Sequence, residues 1–341
     1  MAGDDLILAG SCGLGCEAGG FWVDPSSPVP LAVITHAHAD HATAGCGRYV
    51  ATPGTAALLR SRLGGEIEVE ELAFGAVRSF GSVGVSLHPA GHVLGSAQVR
   101  VEPARGPVWC VSGDYKTEPG PTAEAFEPVP CDVFVTESTF GLPVFRWPEQ
   151  GGVAGSMLSW WRANAASERT SALLAYSLGK AQRVMASLAG AGELPGVIGV
   201  HGAVEKLCRV YEGAGVSLPD YVHASKATAD SIKGTGLVVA PPAQAGTPWL
   251  RGFAGDGGMG TAQVSGWATI RGRRRWQALD TGFVLSDHAD WPGLLHAIEM
   301  TGAQRVGVTH GYTRPFSRYL REERGLDSFM LATRWGDEDA E

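Results

Sequence analysis

Residues 34–41 read ITHAHADH, and no other stretch restricts the chain so strongly. His36, His38, Asp40 and His41 put three imidazoles and a carboxylate into one short run. A core could accept them only if each found its own hydrogen-bond partner. A divalent cation removes that demand, because zinc and manganese take both imidazole nitrogen and carboxylate oxygen. The run LAVIT at 31–35 has the β-branched texture of a strand that delivers the cluster. Alternation along extended chain would set His36 and His38 on one side, with Asp40 and His41 just past the strand end. A polar turn that happens to carry three histidines explains this density poorly.

Further ionisable residues recur in one style, each directly after an apolar strand pattern. His92 follows SLHPAG, Asp114 follows VWCVSG, Glu137 follows DVFVT, His288 follows GFVLSD and His310 follows RVGVT. Side chains at strand ends can converge in a crevice at one sheet edge. Singly these residues mean little; as an ordered set they form a candidate site.

The texture along the chain predicts its organisation. Up to about residue 145, short strand patterns alternate with turn signals: GVSLH (84–88), AQVRVE (97–102), PVWCVS (107–112) and DVFVT (132–136). A helix is predicted at 53–63, with Thr52 as its cap, Pro53 in its first turn and Gly64 ending it. From 146 to 280, helical patterns such as GSMLSWWRANA and GKAQRVMASLAG alternate with buried-strand patterns such as SALLAYS, GVIGVH and GLVVAP, as in a parallel α/β unit. The earlier style returns from 281 to 341, with helices opening at Pro292 and Pro315. The simplest plan is one α/β domain, 1–145 and 281–341, split by an insertion at 146–280.

Charge bears on partners. The chain of 341 residues carries 35 acids and 27 bases, a net charge of −8, so overall charge does not favour nucleic acid. The block RGRRRW, with Arg271, Arg273, Arg274, Arg275 and Trp276, is different: no acid follows until Asp280, and it is a candidate phosphate-contacting and base-stacking patch. Arg314, Arg318, Arg321 and Arg324 are interleaved with Glu322 and Glu323 and read as a solvated helix face. In SLGKAQR, Ser177 is a candidate helix cap and Lys180 a candidate phosphate contact. The six cysteines are scattered and read as reduced, structural residues. The acidic N-terminus lacks a secretion-signal pattern and no apolar run has membrane-span length, which predicts a cytoplasmic protein.

HAHADH, GHVLGSAQ, SGDYK, ESTFG, SDHAD and VTHG resemble, in order, the motifs of β-CASP nucleases, from about residue 24 to 311. Stretches such as AVITHAHADHA, ESTFGLP, SLGKAQR and LSDHADWPGL are most similar to bacterial ligase-associated DNA exonucleases, also called mRNA 3′-end processing factor-like proteins. The resemblance implies a metallo-β-lactamase αβ/βα sandwich with the β-CASP cap inserted over the metal crevice, and nucleic acid passing between the two. It implies two divalent ions, zinc first and manganese as the alternative. His36, His38 and His92 would hold one; Asp40, His41 and His310 would hold the other; Asp114 would bridge them. Asp24 would orient His41 or a loop from behind. With Asp40, the catalytic groups would be His288, giving a proton to the leaving oxygen, and Glu137, bonding His288 and favouring its charged form. The expected activity is phosphodiester hydrolysis, foremost by a DNA exonuclease working in repair alongside a DNA ligase. An RNA 3′-end processing nuclease is the alternative, because histidine at the position of His310 accompanies RNA processing in that group. A small-ester or thioester hydrolase on the same fold is a third reading, which Glu137, His288 and the insertion weigh against.

Overall fold

In the computed structural model, which describes residues 5–270 and 279–332, the apolar runs of the first 145 residues become strands of two sheets. The first sheet contains β1 (Leu8–Gly10), β2 (Gly13–Cys16), β3 (Phe21–Val23), β4 (Leu31–Val33), β5 (Arg48–Ala51) and β6 (Val69–Glu71), in that order. Between its last two strands runs α1 (Pro53–Leu63), whose N-cap Thr52 accepts from Thr55 N and whose last turn meets Gly64, as the capping residues predict.

The second sheet begins with β7 (Val77–Phe80), β8 (Val83–Pro89), β9 (Ala97–Pro103), β10 (Trp109–Val111) and β11 (Val133–Ser138). Its period of two sorts side chains between two cores. Val133 and Val135 of β11 enter the core shared with Val23, Val33 and Val50 of the first sheet, whereas Phe134 enters the core on the opposite face. Trp109 and Val111 likewise part from Cys110.

The chain then builds a parallel sheet of its own. Its elements are α2 (Gln150–Ala165), β12 (Thr170–Leu174), α3 (Lys180–Ala191), β13 (Ile198–Val200), α4 (Gly202–Gly213), β14 (Tyr221–His223), α5 (Ala229–Ile232), β15 (Leu237–Ala240), α6 (Pro248–Arg251), β16 (Met259–Val264) and β17 (Thr281–Phe283). The strand order is β14-β13-β15-β12-β16-β17, every pairing parallel. Leu173 of β12 packs with residues of α2, α3 and α4, while Ala172 and Leu174 pack with Ile232 of α5 and Leu250 of α6. Both faces are therefore covered by helices, which explains the nearly unbroken apolar strands.

The last elements, α7 (Trp291–Thr301), β18 (Arg305–Gly311), α8 (Thr313–Glu322) and β19 (Asp327–Met330), complete the second sheet in the order β19-β18-β11-β10-β9-β8-β7. Leu294, Ile298, Phe316 and Leu320 of the two helices close its outer core over Phe134, Val306 and Val308. The fold is thus mixed α/β, with eight helices among the described residues. Two compact units result: Met1–Arg146 with His288–Glu341, and Trp147–Asp287. β17, which the sequence pattern grouped with the last segment, pairs with β16.

Two local expectations fail. β4 ends at Val33, so His36 and His38 lie in a loop and not on alternating extended chain. The cap of α3 is Gly179, not Ser177; Gln182 Oε1 accepts from Gly179 N, and the Ser177 carbonyl accepts from Gln182 Nε2. Arg271, Arg273, Arg274, Arg275 and Trp276 lie outside the described residues. Among the described residues no helix is long and apolar enough to cross a membrane.

Candidate metal centre

The loop after β4 is shaped by Asp24, which follows β3. Its Oδ1 accepts from Thr35 N at 2.8 Å, and its Oδ2 from Thr35 Oγ1 at 2.5 Å and His41 Nδ1 at 2.7 Å. One carboxylate thereby ties both ends of the histidine run. An ionised carboxylate only accepts, so Nδ1 of His41 carries a proton and Nε2 is the nitrogen left to face a cation.

The second ligand-bearing loop, after β8, is folded by Ser96, whose hydroxyl accepts from the backbone N–H of His92 and Val93 at 3.0 and 3.2 Å. Helix α1 joins the two loops. At its start Thr52 and Thr55 donate to the Gly95 carbonyl at 2.5 and 2.8 Å; in its last turn Arg62 donates to the Ala37 carbonyl at 2.5 Å.

His36 Nε2 and His38 Nδ1 are 3.0 Å apart, and His38 Nδ1 and His92 Nε2 are 3.1 Å apart. Asp114, following β10, brings Oδ2 to 3.5 Å from His36 Nε2, 3.4 Å from His41 Nε2 and 3.7 Å from His92 Nε2. Donors about 2.0–2.2 Å from a tetrahedral zinc stand roughly 3.3–3.5 Å from each other, so this spacing suits a shared cation. Four overlapping donor groups result among the described residues: His36, His38, His92 and Asp114; Asp40, His41 and His310; Asp24, His36 and His41; and Asp114, Glu137 and His288.

His310 reaches its group through a bulge. Glu137 of β11 is opposite Thr309 of β18, but Ser138 is opposite Gly311, leaving His310 as the extra residue, with φ at +52°. A bulge turns a side chain out of the ladder. Ser138 Oγ donates to the His310 carbonyl and holds the turn. The His310 ring lies 4.9 Å from that of His41.

Within the group of Asp114, Glu137 and His288, His288 Nδ1 lies 3.0 and 2.9 Å from the two oxygens of buried Glu137, and Glu137 Oε1 also accepts from Tyr115 N at 2.8 Å. The His288 ring is flanked by His92 at 4.7 Å and Phe140 at 5.8 Å.

Electrostatics agree with a cation site. Burial opposes charge on Asp114, yet His41 and His288 hold its carboxyl well below the usual range. Burial also opposes charge on His41, but Asp114 and Asp24 outweigh it and raise that imidazole well above its ordinary value. Burial and the neighbouring His41 push His36 and His310 down. Asp114 Oδ1 and His41 Nε2 are buried with no hydrogen-bond partner, an arrangement that costs about 1–3 kcal/mol per atom. A divalent cation that displaces the Nε2 proton of His41 would use a lone pair of each atom, so the residues present fit one. A cavity of about 30 Å³ opens against Asp24, His41, Asp114, Glu137 and His310, enough for a water-sized species.

Lys180, a candidate phosphate contact, is buried: its Nζ donates to the Leu285 carbonyl and pairs with Asp287, both at 2.9 Å. Arg183 meets the same carboxylate at 2.8 Å. Thr35, Ser96, Tyr115 and Arg62 escaped the sequence reading. Thr35, Ser96 and Tyr115 sit inside the motifs themselves, which is the signal that could have singled them out; Arg62 carries none.

No family model matches the chain. Over 313 residues, 92% of its length, the chain is 34% identical to a protein named Probable DNA ligase from Opitutus terrae. The match covers 30% of that protein, so the chain spans less than a third of this relative. Among solved structures it is similar to a protein of unknown function from Enterococcus faecalis V583, with a TM-score of 0.59 and 12% identity over 90% of this chain and 80% of that one. That likeness concerns the fold alone.

Proposed function

We propose that this chain is a metal-dependent nuclease of the metallo-β-lactamase type, with Trp147–Asp287 as its β-CASP cap, and that it hydrolyses phosphodiester bonds in DNA. One observation supports the reading: the buried Asp114 carboxylate belongs to the group of His36, His38 and His92 and lies 3.4 Å from His41 of the group with Asp40 and His310, beside a histidine–glutamate pair. The similarity to part of a protein named for DNA ligation supports DNA as the substrate and work alongside a ligase as the setting.

His36, His38 and His92 would hold one ion, Asp40, His41 and His310 a second, and Asp114 would face both. When bound, such ions supply Lewis acidity and a nucleophilic water at neutral pH. The chain's own residues do the rest. Asp24 keeps the proton on His41 Nδ1 and so presents Nε2 as a donor. Glu137, itself held by Tyr115 N–H, fixes the His288 ring through Nδ1. His288 passes the proton on its Nε2 to the departing oxygen, and the neutral ring that remains keeps its Nδ1–H on Glu137. Phe140 and the His92 ring limit rotation of that imidazole.

The test is a digestion of end-labelled single-stranded DNA and RNA of identical sequence, with zinc or manganese, by the wild type and by Asp114→Ala. DNA cut by the wild type alone is the expected result, and the labelled end gives the direction. Cutting of RNA alone would move the reading to RNA processing. Cutting of neither by folded, metal-loaded protein would overturn it in favour of a small-ester hydrolase.

A further inference from the structure

We propose that Arg62 is a phosphate-binding residue of this site, taking a non-bridging oxygen of a phosphodiester that flanks the bond being cut. The inference rests on the nuclease reading and adds a substrate contact to it.

Arg62 lies in the last turn of α1, and its NH1 donates to the carbonyl of Ala37, the residue between His36 and His38. That bond anchors the guanidinium at the rim of the donor groups. Nearby arginines differ. Arg60 pairs with Glu71 at 2.6 Å, and both Arg48 and Arg78 pair with Glu70, at 3.6 and 2.9 Å. Among the described residues Arg62 makes no ion pair, and the bond to Ala37 is its single hydrogen bond. A guanidinium has five N–H donors in a planar fork suited to phosphate, so most of its donors remain uncommitted. The side chain is half-buried, which strengthens a charge-assisted bond to an arriving anion.

The charge balance supports an anion at this place. Asp24, Asp40, Asp114 and Glu137 line the donor groups, and two divalent cations would offset those four carboxylates. Asp40 is the acid that acts on the Arg62 charge, and in that state its own charge is met by a cation. Arg62 then adds net positive potential where a polyanion must approach. Bracing the Ala37 carbonyl would not require this charge; a neutral amide donor would serve.

The full-length, metal-loaded protein separates the two roles. Binding of phosphorothioate-linked single-stranded DNA, which resists cutting, is followed by fluorescence anisotropy across a salt series, with metal content measured on the same samples. Arg62→Gln keeps an amide donor for Ala37 and removes the charge. It is expected to retain wild-type metal content, to bind the strand about tenfold more weakly, and to lower the slope of log affinity against log salt by about 0.7. Arg62→Lys, which keeps the charge, is expected to retain most of the slope. Wild-type affinity and slope in Arg62→Gln would overturn the inference, as would loss of metal by both variants, which would leave Arg62 a brace alone. If the wild type neither cuts DNA nor binds the resistant strand, the nuclease reading fails and this inference with it; wild-type cutting with an unaffected Arg62→Gln removes the inference alone.

Discussion

Glu137 holds the imidazole of His288 with both carboxylate oxygens, at 3.0 and 2.9 Å from Nδ1, while His288 Nδ1 stays 4.0 Å from Asp114 Oδ2. Glu137 is buried at the end of β11 and fastened to Tyr115 N–H, so the pair is built to orient a ring. Proton delivery and cation binding should therefore be separable. His288→Ala is expected to lower kcat by about 10²–10⁴ and to leave the metal-to-protein ratio nearly unchanged, whereas Asp114→Ala should lose both. Elemental analysis beside steady-state rates checks this, and equal metal loss in the two variants would deny His288 its role.

Asp24 offers a cleaner handle on charge. Its φ is +44°, a left-handed conformation that asparagine tolerates as well as aspartate. Asp24→Asn should thus keep the backbone and remove only the carboxylate behind His41 Nδ1. Metal affinity is expected to fall about 10–100-fold, measured by chelator competition. Unchanged affinity would mean that the contact with Thr35 alone accounts for Asp24.

The bulge at His310 depends on Gly311. Its φ is +76°, and a Cβ there would meet Thr139 Cα at 2.5 Å and Ser138 O at 2.6 Å. These are backbone-level contacts that cannot move aside cheaply. Gly311→Ala should destabilise the protein by more than the roughly 1–2 kcal/mol of a left-handed alanine, and should lower metal content by displacing His310. Thermal unfolding with metal analysis tests it; a wild-type melting temperature would show that the bulge relaxes.

Lys180 supplies a pH signature. Burial pushes its ammonium down to about 8 from 10.5, Asp287 opposing the shift and Arg183 adding to it. The folded pKa lies below the unfolded one, so between about pH 8 and 10.5 the unfolded chain binds the extra proton. Stability from this group therefore rises with pH through that window and is level below it. Lys180→Met leaves Asp287 paired with Arg183 and removes the effect. The stability of the wild type relative to Lys180→Met, from denaturant midpoints, should grow between pH 7.5 and about 9.5; a difference that falls over this range would contradict the assignment.

Much of the fold was legible because its signals are local. Thr52, Pro53 and Gly64 bound α1 by capping chemistry that needs no tertiary partner. The alternation in β8, β9 and β11 followed from the pleat. The cap of α3 lies two residues beyond Ser177 because Gly179 takes a φ of +85°, and the Gln182 side chain folding back on the turn reveals it.

The sequence alone determined which chemistry was present: imidazoles and carboxylates too dense for a core without a cation, each following an apolar strand. Tertiary structure decided how they group. That Asp24 reaches His41, that His310 leaves its ladder, and that Arg62 ends at Ala37 all depend on pairings between segments distant in the chain. Such contacts follow from strand register and helix length across the whole fold, and no window of neighbouring residues carries them.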